Sequence, residues 1–222
     1  MRRDSALLSP AEHLAACWCK ALDPEAAALP AMRRTCRTRI APRQVPGPAT
    51  ISSVRIGTWN LAGKWSDDHR AFLEHAQCDV WLLTEVHRQA EISGMTAYRT
   101  VATMQPHKAW AAVFSCVPPS EGSDPHRATA SARVGDVRFV SSVLPWRSCG
   151  ASWPGASLAE KQALTLAQLQ PVIDEATVWG GDWNQALEGR DYVGTVAGGA
   201  AIAELLEASR LSLPTRACLL KI

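Results

Sequence analysis

Four consecutive large apolar residues, Val80-Trp81-Leu82-Leu83, constrain this chain more than any other stretch of it. Successive side chains of a strand point to opposite faces. An unbroken apolar run therefore suits a strand that is covered on both sides. Other segments carry a different signal. Val54-Arg55-Ile56-Gly57-Thr58 alternates with period two, as a half-buried strand does. Further strands are predicted at Ala97 to Thr103, Trp110 to Ser115, Ala128 to Val134 and Val137 to Leu144, and Thr177-Val178-Trp179 runs into Gly180-Gly181. A helix is predicted from Asp67 to His75, with Phe72, Leu73 and Ala76 inward. Ser157-Leu158-Ala159-Glu160 is a capping box, opening a helix that carries Leu158, Leu166, Leu169 and Ile173 and that Pro171 bends or ends. A last helix covers about Ala200 to Ser209, with Ile202, Leu205 and Leu206 on one side. Strands outnumber helices, and alternating strands occur beside fully apolar ones. That mixture predicts sheets packed on each other with helices outside.

Residues 1–50 read differently. An Ala-rich stretch precedes Arg33, Arg34, Arg37, Arg39 and Arg43, and Ala41-Pro42-Arg43-Gln44-Val45-Pro46-Gly47-Pro48 follows as a linker. This places a boundary near residue 50, with an extension before it and one domain over 51–222. The arginines read either as a phosphate-contacting arm or as a disordered, arginine-rich leader, and a net charge of +2 does not by itself argue for a polyanion partner. No run reaches the ~18–20 apolar residues of a membrane span. Glu12 to Cys19 is too short for a signal-peptide core, which points to the cytoplasm. The seven cysteines are scattered without a C-x-x-C pair, and they read as reduced, mostly buried thiols rather than a zinc site built from His13, Cys17, Cys19 and Cys36.

The chemistry gathers at predicted strand ends. Gly57-Thr58-Trp59-Asn60 and Gly181-Asp182-Trp183-Asn184 echo each other as G-x-W-N, each after a strand and before a loop. Thr84-Glu85-Val86 follows the apolar run in the same way. Taken singly, each is an ordinary turn or solvated loop residue. A Glu, an Asp and two Asn at one topological position suit phosphoester cleavage with Mg²⁺ or Mn²⁺ instead. Magnesium takes hard oxygen ligands, keeps several waters and uses only one or two carboxylates. Glu85 supplies such a carboxylate, an Asn side chain offers a carbonyl to the metal and N–H groups to a phosphate, and Asp182 can orient or deprotonate water.

Thr58-Trp59-Asn60, Asp79 to Glu85 and Gly181-Asp182-Trp183-Asn184 together resemble three ordered motifs of the endonuclease/exonuclease/phosphatase superfamily. That group includes DNase I-type nucleases, abasic-site endonucleases, sphingomyelinases and inositol-polyphosphate phosphatases. The resemblance covers roughly residues 53–215. It implies an α/β fold, a four-layered sandwich of two mixed β-sheets flanked by helices. It implies that Glu85 and Asn60 hold the metal, that Asp182 positions or activates the attacking water, and that Asn184 contacts the scissile phosphate. The substrate would be a nucleic acid or another phosphodiester, and no protein partner is implied.

Two departures stand out. Val143 occupies a place where many members carry His or Tyr, and Arg147 is the candidate replacement for that phosphate contact. The family's closing Ser-Asp-His strand is not found after Leu211-Ser212-Leu213-Pro214-Thr215, so the domain is expected to lack the last strands. Three functions follow as expectations: a nuclease-type phosphodiesterase, a degenerate or truncated relative that turns over poorly, and a nucleic-acid-binding protein using Arg33–Arg43. Trp65, Trp110, Trp146 and Trp153 are read as near loops, where they would either stack on bases or pack in the core.

Overall fold

The computed structural model describes residues 54–150, 153–187 and 193–213. The extension over 1–50, its arginine cluster and the His13 and Cys17–Cys36 group lie outside the described residues. The elements run β1 (Ile56–Asn60), α1 (Asp67–Ala76), β2 (Val80–His87), β3 (Thr96–Arg99), β4 (Thr103–Gln105), β5 (Lys108–Ser115), β6 (Ser120–His126), β7 (Thr129–Val134), β8 (Val137–Val143), α2 (Leu158–Leu169), β9 (Thr177–Asp182) and α3 (Val196–Ala208). A single 3₁₀ turn, Gln170–Val172, carries Pro171 at the end of α2, where the sequence places a break.

Two mixed sheets result. The first is ordered β1-β2-β5-β3, with β4 also on β5. The second is ordered β6-β7-β8-β9, and among the described residues β9 stands at its end. Within each sheet one pair is parallel, β1 with β2 and β8 with β9, and the other pairs are antiparallel.

The apolar run shows how the layers form. Trp81 and Leu83 point to one side of β2, where they pack with Leu73 and Ala76 of α1 and with Phe114. Val80 and Leu82 point to the other side and meet Ala130, Ala132, Phe139 and Val178 of the second sheet. On the far side of that sheet, Val140 and Trp179 pack under Leu166 and Leu169 of α2 and Ile202, Leu205 and Leu206 of α3. The order is helix, sheet, sheet, helices, which is the four-layered α/β sandwich that the resemblance implies. Among the described residues no helix is long and apolar enough to cross a membrane.

Polar groups also join the layers. The Ser141 hydroxyl of β8 donates to the Leu83 carbonyl of β2 over 2.9 Å, a buried bond between the two sheets. In β9, Gly181 has φ +124°, and a Cβ there would overlap the Ser142 carbonyl of the adjacent strand. Only glycine fits that approach, two residues before Trp183.

Several expectations are corrected. Ala97 to Thr103 is two short strands, β3 and β4, rather than one. β6, with Gly122, Asp124 and Pro125, has no strand signature, and it forms through irregular pairing with β7. Of the two roles left open for the tryptophans, Trp110 and Trp153 take core packing, at 4% and 2% exposed, and Trp110 lies in β5, where a strand was expected. Of the described cysteines, none in a disulfide, Cys149 is buried, Cys78 is half-buried and Cys116 is exposed.

Candidate active site

Two parallel strand pairs, one from each sheet, end at the same edge of the sandwich. The register of β1 on β2 sets Asn60 beside Thr84, one residue before Glu85. The register of β8 on β9 sets Val143 beside Asp182. Asn60 is two turns of the pleat beyond Ile56, whose side chain faces the second sheet, so it shares that inward face.

The Asn60 side chain joins the two sheets. Its Nδ2 donates to Glu85 Oε1 over 3.0 Å and to Asp182 Oδ2 over 2.7 Å. These partners lie 25 and 122 residues away in sequence, so their meeting is a product of the fold. Its Oδ1 accepts the Ala62 N–H over 2.8 Å. A backbone N–H must face an oxygen, and this settles which way the amide points. Both N–H groups are thereby presented to carboxylates.

Asp182 is held on its other side as well. Its Oδ1 accepts the Asn184 N–H over 3.2 Å, and its carbonyl accepts the Leu144 N–H over 2.9 Å. Asn184 Nδ2 returns the link, donating to the Leu144 carbonyl over 3.0 Å. The loop after β9 is thus fastened to the end of β8.

Glu85 is not at the strand end that its sequence position suggests. It lies inside β2, between Thr84 and Val86, which both pair with β5. Its φ is +51°, in the left-handed region. For a residue with a Cβ this costs about 1–2 kcal/mol. The effect on the strand is visible: Val86 packs with Trp81 and Leu83 although strict alternation would send it to the opposite face. The alternation breaks at Glu85. Asn184, with φ +48°, shares the left-handed conformation, which Asn tolerates better.

Two carboxylates therefore converge on one neutral amide. The ion pairs among the described residues lie elsewhere, at Arg70–Asp67, at Arg133 and Arg138 with Glu121, and at Arg210–Glu175. Among the described residues no group of three or more His, Cys, Asp or Glu gathers in one place. With the Asn60 oxygen turned to the Ala62 N–H, the donors offered at this point are the oxygens of two carboxylates. That fits Mg²⁺ or Mn²⁺ completed by water better than a nitrogen- and sulfur-rich zinc site.

Beside Asn184 opens a cleft of about 340 Å³, lined by Trp146, Arg147, Asn184, Val193 and Gly194. Arg147 is exposed and sits in the same cleft as Asn184. The five residues named from the sequence are thus linked at one end of the sandwich: Glu85 and Asp182 hydrogen-bonded to Asn60, Asn184 bonded to Asp182, and Arg147 lining the same cleft as Asn184. The sequence did not single out the Leu144 carbonyl, Val193 or Gly194. No spacing marks them, and the two cleft residues come from a loop.

Val143 does not face a polar site. It is 1% exposed and packs with Trp110, Ala128, Cys149 and Trp153. His126 borders the same aromatic group, with its ring 5.8 Å from that of Trp153. Its Nδ1 accepts the Ala128 N–H over 3.2 Å. Burial, helped by the neighbouring Arg127, lowers its pKa to about 4, so the imidazole is neutral at pH 7.

No family model and no curated protein matches the sequence. The fold is matched by solved structures. An AP endonuclease from Archaeoglobus fulgidus superposes with a TM-score of 0.53 at 16% identity, over 70% of this chain and 70% of that one. The endonuclease domain of TRAS1, a telomere-specific non-LTR retrotransposon, superposes with a TM-score of 0.50 at 14% identity, over 70% of this chain and 71% of that one. At these identities the likeness is one of fold, and the fold is the one that the three motifs imply.

Proposed function

We propose that this chain is a divalent-metal-dependent phosphodiesterase of nuclease type, acting at the Asn60–Glu85–Asp182–Asn184 cluster. The observation that carries the reading is the Asn60 amide, which holds a carboxylate from each sheet at one point. Two fold neighbours are nucleases by name, which supports the nuclease reading over other phosphoester chemistry.

Glu85, with Asn60 beside it, would hold Mg²⁺ or Mn²⁺, which when bound offsets phosphate charge and acidifies water. The remaining work falls to the chain. Asp182 has four lone-pair sites, of which Asn60 and Asn184 occupy one on each oxygen, so room remains to accept a proton from the attacking water. Asn60 keeps that carboxylate aimed by donating to it in a fixed direction. Asn184 has its Nδ2 anchored on the Leu144 carbonyl and retains one N–H of the same amide for a phosphate oxygen. Arg147 offers its guanidinium fork to the same or the next phosphate across the cleft.

A second reading has its own support. Val143 is buried in an apolar cluster at the position where a His or Tyr would contact phosphate. A chain lacking that contact would bind substrate and turn it over slowly. A plasmid-nicking assay with and without Mg²⁺ decides between the two. The first reading expects Mg²⁺-dependent nicking that falls at least about 10²-fold in Asp182→Asn, the range for a lost general base. It also expects the Mg²⁺ requirement to rise in Glu85→Gln. Nicking that persists unchanged in both variants would remove the site from the reaction. Metal binding without nicking would leave the second reading.

A further inference from the structure

The cleft beside Asn184 is more than a route to the phosphate. Its lining is an indole, a guanidinium, the Asn184 side of the site, a small aliphatic side chain and a glycine. We infer that this cleft is a nucleobase subsite, in which Trp146 stacks on the base next to the scissile phosphate while Arg147 contacts the backbone.

Four observations carry the assignment. Trp146 is held rigidly from behind: its ring meets Trp153 edge to face at 5.1 Å and Trp110 at 6.3 Å. Those two rings are in turn fixed edge to face at 4.9 Å. Trp110 and Trp153 are buried, whereas Trp146 is half-buried and lines the cleft. A braced indole with open surface gives contact area at little cost in side-chain entropy, which is what a stacking platform needs.

The second observation is the apolar part of the remaining lining. Val193 is 42% exposed, an apolar surface that water covers poorly and that a flat ring would cover well. Gly194 beside it adds only backbone to the lining. The third is size. A volume of about 340 Å³ is at the small end for ligand clefts, and it suits one base better than a lipid chain or a bulky headgroup. The fourth is charge. Arg147 is exposed in the same cleft, with a fork of donors and no acceptor, so the group it faces should be anionic. An aromatic ring and an anion within one small cleft, adjoining Asn184, describe a nucleotide. A phospholipid headgroup or a simple phosphodiester offers no ring to stack.

This subsite rests on the phosphodiesterase reading, since its base belongs to the nucleotide whose phosphate Asn184 contacts. The full 222-residue chain should be titrated with a fluorescent single-stranded DNA oligonucleotide and with the same oligonucleotide carrying tetrahydrofuran residues in place of its bases. EDTA is present so that affinity is read without cleavage. Wild type is expected to bind the base-bearing strand more tightly, and Trp146→Leu to lose roughly tenfold on that strand but little on the baseless one. Trp146→Phe, which keeps a ring, should retain most of the preference. Arg147→Ala should weaken both strands alike, because it meets the backbone. Circular dichroism and melting identify any variant that fails to fold, and in that event the comparison of the two strands on wild type still decides.

Equal affinity of wild type for both strands, or no affinity for either, overturns the subsite. So does a loss in Trp146→Leu that is the same on both strands, which would make Trp146 a packing residue only. Mg²⁺-dependent cleavage of the two strands is measured in parallel. Cleavage with no base preference leaves the phosphodiesterase reading standing and removes the subsite. A base preference in binding with no cleavage of any strand removes the phosphodiesterase reading.

Discussion

Glu85 carries the sharpest conflict in the molecule between local preference and position. Its left-handed backbone, φ +51°, lies inside a strand, where neither the residue type nor the element favours it. Strain of this sort persists when the surroundings over-determine it, and it concentrates at functional sites. Here the surroundings are the Thr84 and Val86 pairings to β5 and the Asn60 amide. Glycine would adopt the same φ at no steric cost. Glu85→Gly is therefore expected to raise stability by about 1 kcal/mol in metal-free buffer while abolishing Mg²⁺-dependent nicking. Urea denaturation of both chains in EDTA measures this. A variant that is less stable than wild type would show that the carboxylate's contacts outweigh the backbone strain.

Among the elements, α2, α3 and the loop after β9 are locked by a small polar knot. Gln162 of α2 is 1% exposed, and its Nε2 donates to Gln185 Oε1 over 3.3 Å. Gln185 Oε1 also accepts the Thr195 N–H over 2.9 Å, and the Thr195 hydroxyl donates to Gln162 Oε1 over 3.2 Å. Thr195 is at the same time the N-cap of α3, receiving the Gly198 N–H over 2.9 Å. Buried polar groups in such a knot stabilise only when all are satisfied. Gln162→Leu keeps the volume roughly but takes the acceptor from the Thr195 hydroxyl and one of the two donors from Gln185 Oε1, at a cost of about 1–3 kcal/mol. Gln185 follows Asn184 directly, so the variant should also lose nicking activity more than Gln162→Glu or Gln162→Asn, which keep an acceptor. Melting temperatures beside nicking rates check both parts. An unaltered melt would mean that the knot contributes no net stability.

At the scale of the whole molecule, acid should weaken the fold through His126. The unfolded imidazole titrates near 6.5 and the buried one near 4. Between these values the unfolded chain binds the extra proton, so stability is complete above about pH 6.5 and declines as pH falls toward 4. The loss is on the order of 3 kcal/mol. His126→Asn retains an acceptor for the Ala128 N–H without the titration. Urea midpoints from pH 7 to pH 4 should therefore fall more steeply for wild type than for the variant. Parallel slopes would show that other groups govern the acid limb. At the opposite limb Tyr98, whose pKa burial and the Asp124 hydrogen bond raise to about 12, favours the folded state less as pH climbs past 10.

Much of this protein was legible before any coordinates. The run Val80 to Leu83 required cover on both faces and has it, with Trp81 and Leu83 under α1 and Val80 and Leu82 against the second sheet. The capping box at Ser157 opens α2, where the Ser157 hydroxyl accepts the Glu160 N–H as the pattern predicts. Local periodicity and capping are determined by residues within a few positions of each other, so a sequence displays them. The echo of Gly-x-Trp-Asn pointed to Asn60, Asp182 and Asn184, and the fold brings these three together. What lay beyond reach was set by contacts across the layers. β6 has no strand signature because its pairing with β7, and not its own composition, holds it. Glu85 left its expected strand end because β2 continues past it to His87 along β5. The bridge through Asn60 spans 122 residues to Asp182, and the cleft of Trp146, Arg147 and Val193 joins a strand end to a distant loop. Such meetings depend on how two sheets stack. No short-range pattern encodes that stacking, and only the closed sandwich decides it.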